Sequence, residues 1–153
     1  MVNHAAGISA ITFVIAIAVS MGYYQFVYIP QASAKPVLPE NVLNPSETTD
    51  ISIAPGASLP TNGKFFVPKE ARGTIGLSNK VVWTNTDTTG HTVTSDDGYV
   101  DKINGDFDSL KQGGIIPPGQ NFEFTFTEVG QHAYHCEPHP HMQGSIEIVE
   151  NFA

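Results

Sequence analysis

Three patterns of apolar and polar positions follow one another along the chain. The first is residues 7–29, GISAITFVIAIAVSMGYYQFVYI, 23 positions without Asp, Glu, Lys or Arg. A membrane-spanning helix needs about 20 predominantly apolar residues. Tyr23, Tyr24, Phe26 and Tyr28 stand at the end of this run, where an aromatic belt would meet the lipid headgroups. The pattern predicts an N-terminal transmembrane helix within residues 1–29. The alternative is a secretory signal, with Ala32-Ser33-Ala34 as a small-residue site for cleavage near Ala34. The length of the run, and the lack of any Lys or Arg before it, favour the uncleaved anchor. Either way the remainder is expected on the extracytoplasmic side, periplasmic or at the cell surface.

The second pattern, residues 30–49, has no apolar periodicity. Pro30, Pro36, Pro39 and Pro45 interrupt it, which reads as a linker. From Asp50 to residue 153 the third pattern is β. Ile51 and Ile53 alternate with polar neighbours, and Phe65-Phe66-Val67 is a short apolar run stopped by Pro68. Strands are also expected at Thr74–Leu77, Lys80–Asn85, His91–Thr94, Gly130–Cys136 and Ser145–Glu150. Asn121–Thr127 alternates most cleanly, with Phe122, Phe124 and Phe126 on one face and Glu123, Thr125 and Thr127 on the other. Many short strands and no internal repeat predict one all-β sandwich or barrel. A long apolar core helix has no place in such a domain.

Charge narrows the function. All charged side chains lie at or after Lys35, and the net charge is −8, so nucleic acid would be repelled and a cationic partner attracted. The single cysteine, Cys136, excludes an internal disulfide and a two-cysteine dinuclear copper centre. It opens the run CEPHPHM, in which Cys136, His139 and Met142 are spaced C-x-x-H-x-x-M. Blue electron-transfer copper takes one Cys, two His and a weak axial Met. His91, in TGHTVTS, is the natural fourth candidate. His141 is a competitor to His139, and it would displace the adjacent Met142 from an axial role. A lone cysteine is ordinarily a small core hydrophobe, but one beside correctly spaced imidazoles and a thioether reads as a metal thiolate. His135, next to Cys136, falls on the opposite face of its strand, and with His132 is read as structural or surface.

The segments FFVPKEARGTIGLSNKVVWTNTDTTGHTVTS and IIPPGQNFEFTFTEVGQHAYHCEPHPHMQGSIEIV strongly resemble the cupredoxins, small blue-copper proteins such as plastocyanin, pseudoazurin and amicyanin. The ligand spacing is closest to amicyanin, and the preceding apolar run is similar to membrane-tethered archaeal forms. The resemblance implies a Greek-key β-sandwich of about eight strands, with one copper cycling between Cu(I) and Cu(II). It carries the ligand roles onto His91, Cys136, His139 and Met142. One departure is Thr92, which stands where plastocyanin and amicyanin have Asn after the first His, so the tie between the two ligand loops is open.

The function implied is single-electron shuttling between redox proteins, a carrier rather than an enzyme. The competing reading is a copper protein with an open axial position that binds or transforms a small molecule such as a nitrogen oxide. Asp96, Asp97, Asp101, Asp106 and Asp108 form either a solvated loop or an acidic patch for a basic cytochrome-like or copper oxidase partner.

Overall fold

The computed structural model describes residues 4–32 and 38–152, in two compact units, Met1–Val37 and Leu38–Ala153. In the first unit the charge-free run is helical. α1 spans His4–Tyr23, a π-helical turn covers Tyr24–Tyr28, and α2 covers Ile29–Ala32. The π turn has a local cause. Pro30 has no N–H for the carbonyl four residues back, and its ring crowds that carbonyl. A wider turn relieves the crowding, and the Ile29 N–H reaches the Tyr24 carbonyl five residues back. The helix therefore passes through Pro30, which the sequence pattern marks as an interruption. Thr12–Gln31 is long and apolar enough to cross a membrane, and none of it is buried, unlike a core helix. Ser33 and Ala34 of the candidate cleavage site, and linker residues 35–37, lie outside the described residues.

The second unit begins inside the expected linker. A helical turn, α3, spans Glu40–Leu43 behind Pro39, whose fixed φ of −55° suits the residue ahead of a helix. Its Val42 carbonyl accepts from Asn79 Nδ2 at 2.8 Å, which ties the turn to the β domain. The strands, in chain order, are β1 Thr48–Ile53, β2 Phe66–Val67, β3 Glu70–Thr74, β4 Lys80–Asn85, β5 Thr94–Ser95, β6 Val100–Asp101, β7 Gly105–Asp106, β8 Asn121–Thr125, β9 Gly130–Cys136 and β10 His139–Val149. They build the expected all-β sandwich: one four-stranded sheet ordered β2-β1-β4-β8, another ordered β3-β10-β9-β5, and a small β6-β7 hairpin.

The strict alternation in β8 places Phe122 and Phe124 opposite Trp83 and Val81 of β4, and Phe126 continues the same face. These rings join Phe66, Phe107 and Tyr134 in one buried aromatic core between the sheets. Trp83 meets Tyr134 edge to face with centroids 5.5 Å apart. Full burial of rings of this size stabilises the sandwich by roughly 1.5–3 kcal/mol each.

Three strands differ from the sequence pattern. The run expected at His91–Thr94 is strand only from Thr94, as β5, with His91 in an isolated bridge to Ile116. β3 ends at Thr74, where a strand is expected to begin, because Gly76 turns the chain at φ +73° and Asn79 Oδ1 accepts its N–H at 2.9 Å. β3 itself is hidden in the pattern because it pairs through its backbone with β10 and buries only Gly73. β10 starts six residues earlier than the expected Ser145, directly from the ligand motif.

The acidic segment is also folded. Asp108 caps the short helix α4, Ser109–Gln112, accepting from the Leu110 N–H, and Asp106 pairs with Lys111. Asp101 is 2% exposed, so it cannot meet a partner protein. A continuous five-aspartate docking patch is thereby corrected: the pattern shows charge but not which carboxylates cap turns.

Candidate metal centre

The centre lies where the start of β10 meets the end of β9. His139 pairs with Cys136, and the register then slips before Gln143 meets His135. The slip leaves three residues of β10 without partners on β9, and an interruption of the ladder re-aims side chains. Pro140, His141 and Met142 lie within it, and Met142 turns fully inward, into the same buried core cluster as Cys136. Gly144 follows because nothing larger fits: a Cβ there would lie 2.6 Å from the Tyr134 ring.

His91 arrives on a separate loop. Its backbone exchanges two hydrogen bonds with Ile116, N–H to O at 3.2 Å and O to N–H at 2.8 Å. Asn85, at the end of β4, braces that junction. It donates to the carbonyls of Thr89 at 2.8 Å and Ile116 at 2.9 Å, and its Oδ1 accepts the Asp87 N–H at 2.9 Å.

These loops bring His91, Cys136 and His139 together, with one ligand atom from each lying within 4.8 Å of the others. Cys136 Sγ is 3.7 Å from His91 Nδ1 and 3.5 Å from His139 Nδ1. Ligands bound at about 2.0 Å (N) and 2.3 Å (S), at an angle between tetrahedral and trigonal, sit about 3.6 Å apart, so the residues fit one ion. The donor set is one soft thiolate and two imidazoles, as copper favours. His91 and Cys136 are sealed from solvent, whereas His139 is half-buried. Burial, then the neighbouring His91 and His141 imidazoles, push the His139 pKa below its ordinary value, favouring the neutral form that binds metal.

His141 is turned away from this group. Its Nε2 lies 3.1 Å from the Ala57 carbonyl, which can only accept, and its ring meets Phe65 edge to face. His135 sits on the outer face with Nδ1 2.5 Å from Asp96 Oδ1, and His132 is buried against Phe126 and Tyr99.

Thr92 closes the open question of the loop tie. Its N–H donates to Cys136 Sγ at 3.3 Å, and its hydroxyl oxygen accepts the Glu137 N–H at 2.8 Å. The shorter side chain suffices because the two loops approach within direct hydrogen-bond reach. Nothing in the ligand motif points to Asp87, whose Oδ2 lies 2.9 Å from His91 Nε2. A faint signal is present, an acid four residues ahead of the candidate ligand.

A thiolate and two imidazoles at one end of a mixed β-sandwich define a mononuclear copper protein of the cupredoxin class. The chain belongs to the copper binding proteins of the plastocyanin/azurin family, whose family model matches residues 50–149. It is 26% identical over 113 residues to amicyanin of Paracoccus denitrificans, covering 63% of this chain and 82% of that protein. It is 32% identical over 87 residues to amicyanin of Paracoccus versutus, covering 57% of this chain and 58% of that one. Among solved structures it is similar to a novel purple cupredoxin from Nitrosopumilus maritimus, with TM-score 0.52, 25% identity, and coverage of 65% of this chain and 97% of the other. A copper-containing nitrite reductase from Thermus scotoductus SA-01 shares the fold over 28% of its own length, at 18% identity and TM-score 0.51. The chain is thus a copper electron-transfer protein of cupredoxin fold with one copper per chain.

Proposed function

We propose that His91, Cys136, His139 and Met142 hold the copper and that the chain carries single electrons between redox proteins outside the cytoplasm. The carrying observation is the convergence of three donor atoms within 4.8 Å. Copper in that cage supplies one electron at a time as it cycles between Cu(I) and Cu(II). The protein holds the cage still. Thr92 bonds the sulfur and clamps the following peptide, and Met142, buried in the same core cluster, would supply the weak thioether donor. A cage that does not rearrange keeps the barrier to electron transfer low. Half-buried His139, between exposed Pro138 and Pro140, is the exit toward a partner.

The visible and EPR spectra of the Cu(II)-loaded chain test this. An intense low-energy thiolate-to-copper band with small copper hyperfine splitting, unchanged by azide, is the expected result. Absence of any such band rejects the site. The second reading, an open axial position that takes a small molecule, draws on the similarity to a purple cupredoxin. It requires two comparable bands and a spectrum that shifts with azide or nitric oxide.

The docking surface proposed is formed by the exposed acids Asp96 and Glu137, which flank His135, together with exposed Asp97, next to Asp96 in the chain, facing a basic partner. Electron exchange with a basic cytochrome then slows as salt rises from 10 to 150 mM, because screening shortens from about 30 to 8 Å. A salt-independent rate rejects it. The helix Thr12–Gln31 is proposed as the anchor. Mature chains that begin near Ala34 and are released from membranes would show a cleaved signal instead.

A further inference from the structure

Asp87 is a buried carboxylate that no copper motif includes. Its side chain is 3% exposed. Oδ1 accepts the N–H groups of Gly56 and Thr88, each at 2.8 Å. Oδ2 accepts the Ser58 N–H at 3.3 Å and faces His91 Nε2 at 2.9 Å. Three backbone N–H groups already donate to the two Asp87 oxygens, so the side chain meets His91 as an acceptor and His91 carries its proton on Nε2. Its Nδ1 lone pair is then left toward Cys136 Sγ.

The segment that holds Asp87 also holds the other ligand loop. Between Gly56 and Ser58, Ala57 is fully buried, and its carbonyl meets His141 Nε2 at 3.1 Å. His141 is two residues past His139. Successive peptide groups of one turn therefore grip the residue behind His91 on one side and a neighbour of His139 on the other.

We propose that Asp87 is a positioning residue that fixes the His91 tautomer for copper, and that the Gly56–Ser58 turn couples it to His141 so that both ligand loops are braced by one segment. The proposal rests on His91 being a ligand. Cu(II) bound to one thiolate carries one net positive charge, and the Asp87 carboxylate, behind His91, offsets it. Asp87 therefore favours Cu(II) over Cu(I) and lowers the reduction potential.

Asp87→Asn separates positioning from structure. The amide oxygen can keep the Gly56 and Thr88 donors only if the amide N–H group faces His91, which must then accept on Nε2 and carry its proton on Nδ1. Long-range 15N–1H spectra of the metal-free full chain in detergent are expected to show the proton of His91 on Nε2 in the parent and on Nδ1 in Asp87→Asn. Cu(II) affinity is expected to fall about 10–100-fold, the usual effect of losing an outer partner of a ligating imidazole. Each tenfold loss relative to Cu(I) raises the potential by about 59 mV. His141→Phe keeps the packing on Phe65 but removes the donor to Ala57. In the double variant the two potential shifts are expected to be non-additive.

A parent His91 protonated on Nδ1 overturns the proposal even if the variant fails to fold. Additive shifts overturn the shared brace. Neither the tautomer readout nor its outcome requires copper, so a failure of the copper reading, seen as a missing thiolate band in the parent, is distinguishable.

Discussion

Cys136→Ser abolishes the thiolate-to-copper band and leaves a folded, nearly colourless protein: this is the expected result of exchanging one sulfur atom for oxygen. Cys136 Sγ lies between two imidazole nitrogens at 3.5 and 3.7 Å and accepts the Thr92 N–H at 3.3 Å. Sulfur supplies the soft, covalent donor that stabilises Cu(I) and couples the metal to the protein. A serine hydroxyl is shorter, harder and protonated at neutral pH, so it replaces neither the reach nor the charge. Copper affinity is expected to drop by more than the about 10–100-fold typical of losing a merely supporting partner, and electron exchange with any redox partner to cease. The apo fold survives, because the replaced side chain is small and the Thr92–Glu137 clamp is independent of the sulfur. Titration with Cu(II), followed by absorbance and by thermal melting of the apo forms, checks both parts. A retained intense band in Cys136→Ser sinks the ligand assignment. Loss of the apo fold would show that Cys136 is chiefly core.

What the sequence revealed, and what it hid, follows from range. The C-x-x-H-x-x-M run is short, so its members are read side by side, and the structure brings Cys136 and His139 together as the motif requires. The phenylalanine strand is equally legible because one face is buried and the other wet. Asp87 is not, because its role depends on meeting a turn some thirty residues earlier in the chain. His141 could be separated from His139 only by finding the Ala57 carbonyl far back in the sequence. The acidic segment misleads for the opposite reason. Asp101 and Asp108 look like surface charge in composition, yet the first is consumed by backbone donors and the second by a helix cap. β3 escapes because its pairing uses backbone groups, which every residue but proline carries.

Asp101→Ala is expected to be the most destabilising change in the β domain outside the aromatic core. Its two oxygens accept from Thr127 N–H at 2.7 Å, Thr127 hydroxyl at 2.9 and 3.0 Å, Ile103 N–H at 2.9 Å, Asn104 N–H at 3.0 Å and Tyr99 hydroxyl at 3.2 Å. The carboxylate thereby fastens the β6-β7 hairpin to the segment just after β8. Each donor stranded in a buried place costs about 1–3 kcal/mol, and the losses overlap, so roughly 3–5 kcal/mol is expected in total, a large part of the about 5–15 kcal/mol that holds a domain folded. Burial pushes the Asp101 carboxyl pKa up, but these bonds outweigh it and the net shift is downward; Asp87 shifts the same way. A depressed acid contributes stability that is complete above the unfolded value of about 3.9 and is lost as pH falls through the folded one. His132 adds an earlier limb. Its pKa is lowered by burial, against the opposing pull of Asp97, Asp101 and Glu128. Below about pH 6.5 the unfolded chain therefore binds a proton that the native chain resists, and stability declines. Urea melts of the metal-free full chain in detergent are expected to show a first loss below about pH 6.5 and a steeper one below about pH 4. The gap between parent and Asp101→Ala should narrow through the second limb alone. A gap under about 1 kcal/mol at pH 7, or one that does not change between pH 7 and pH 3, would show that Asp101 does not fasten the hairpin.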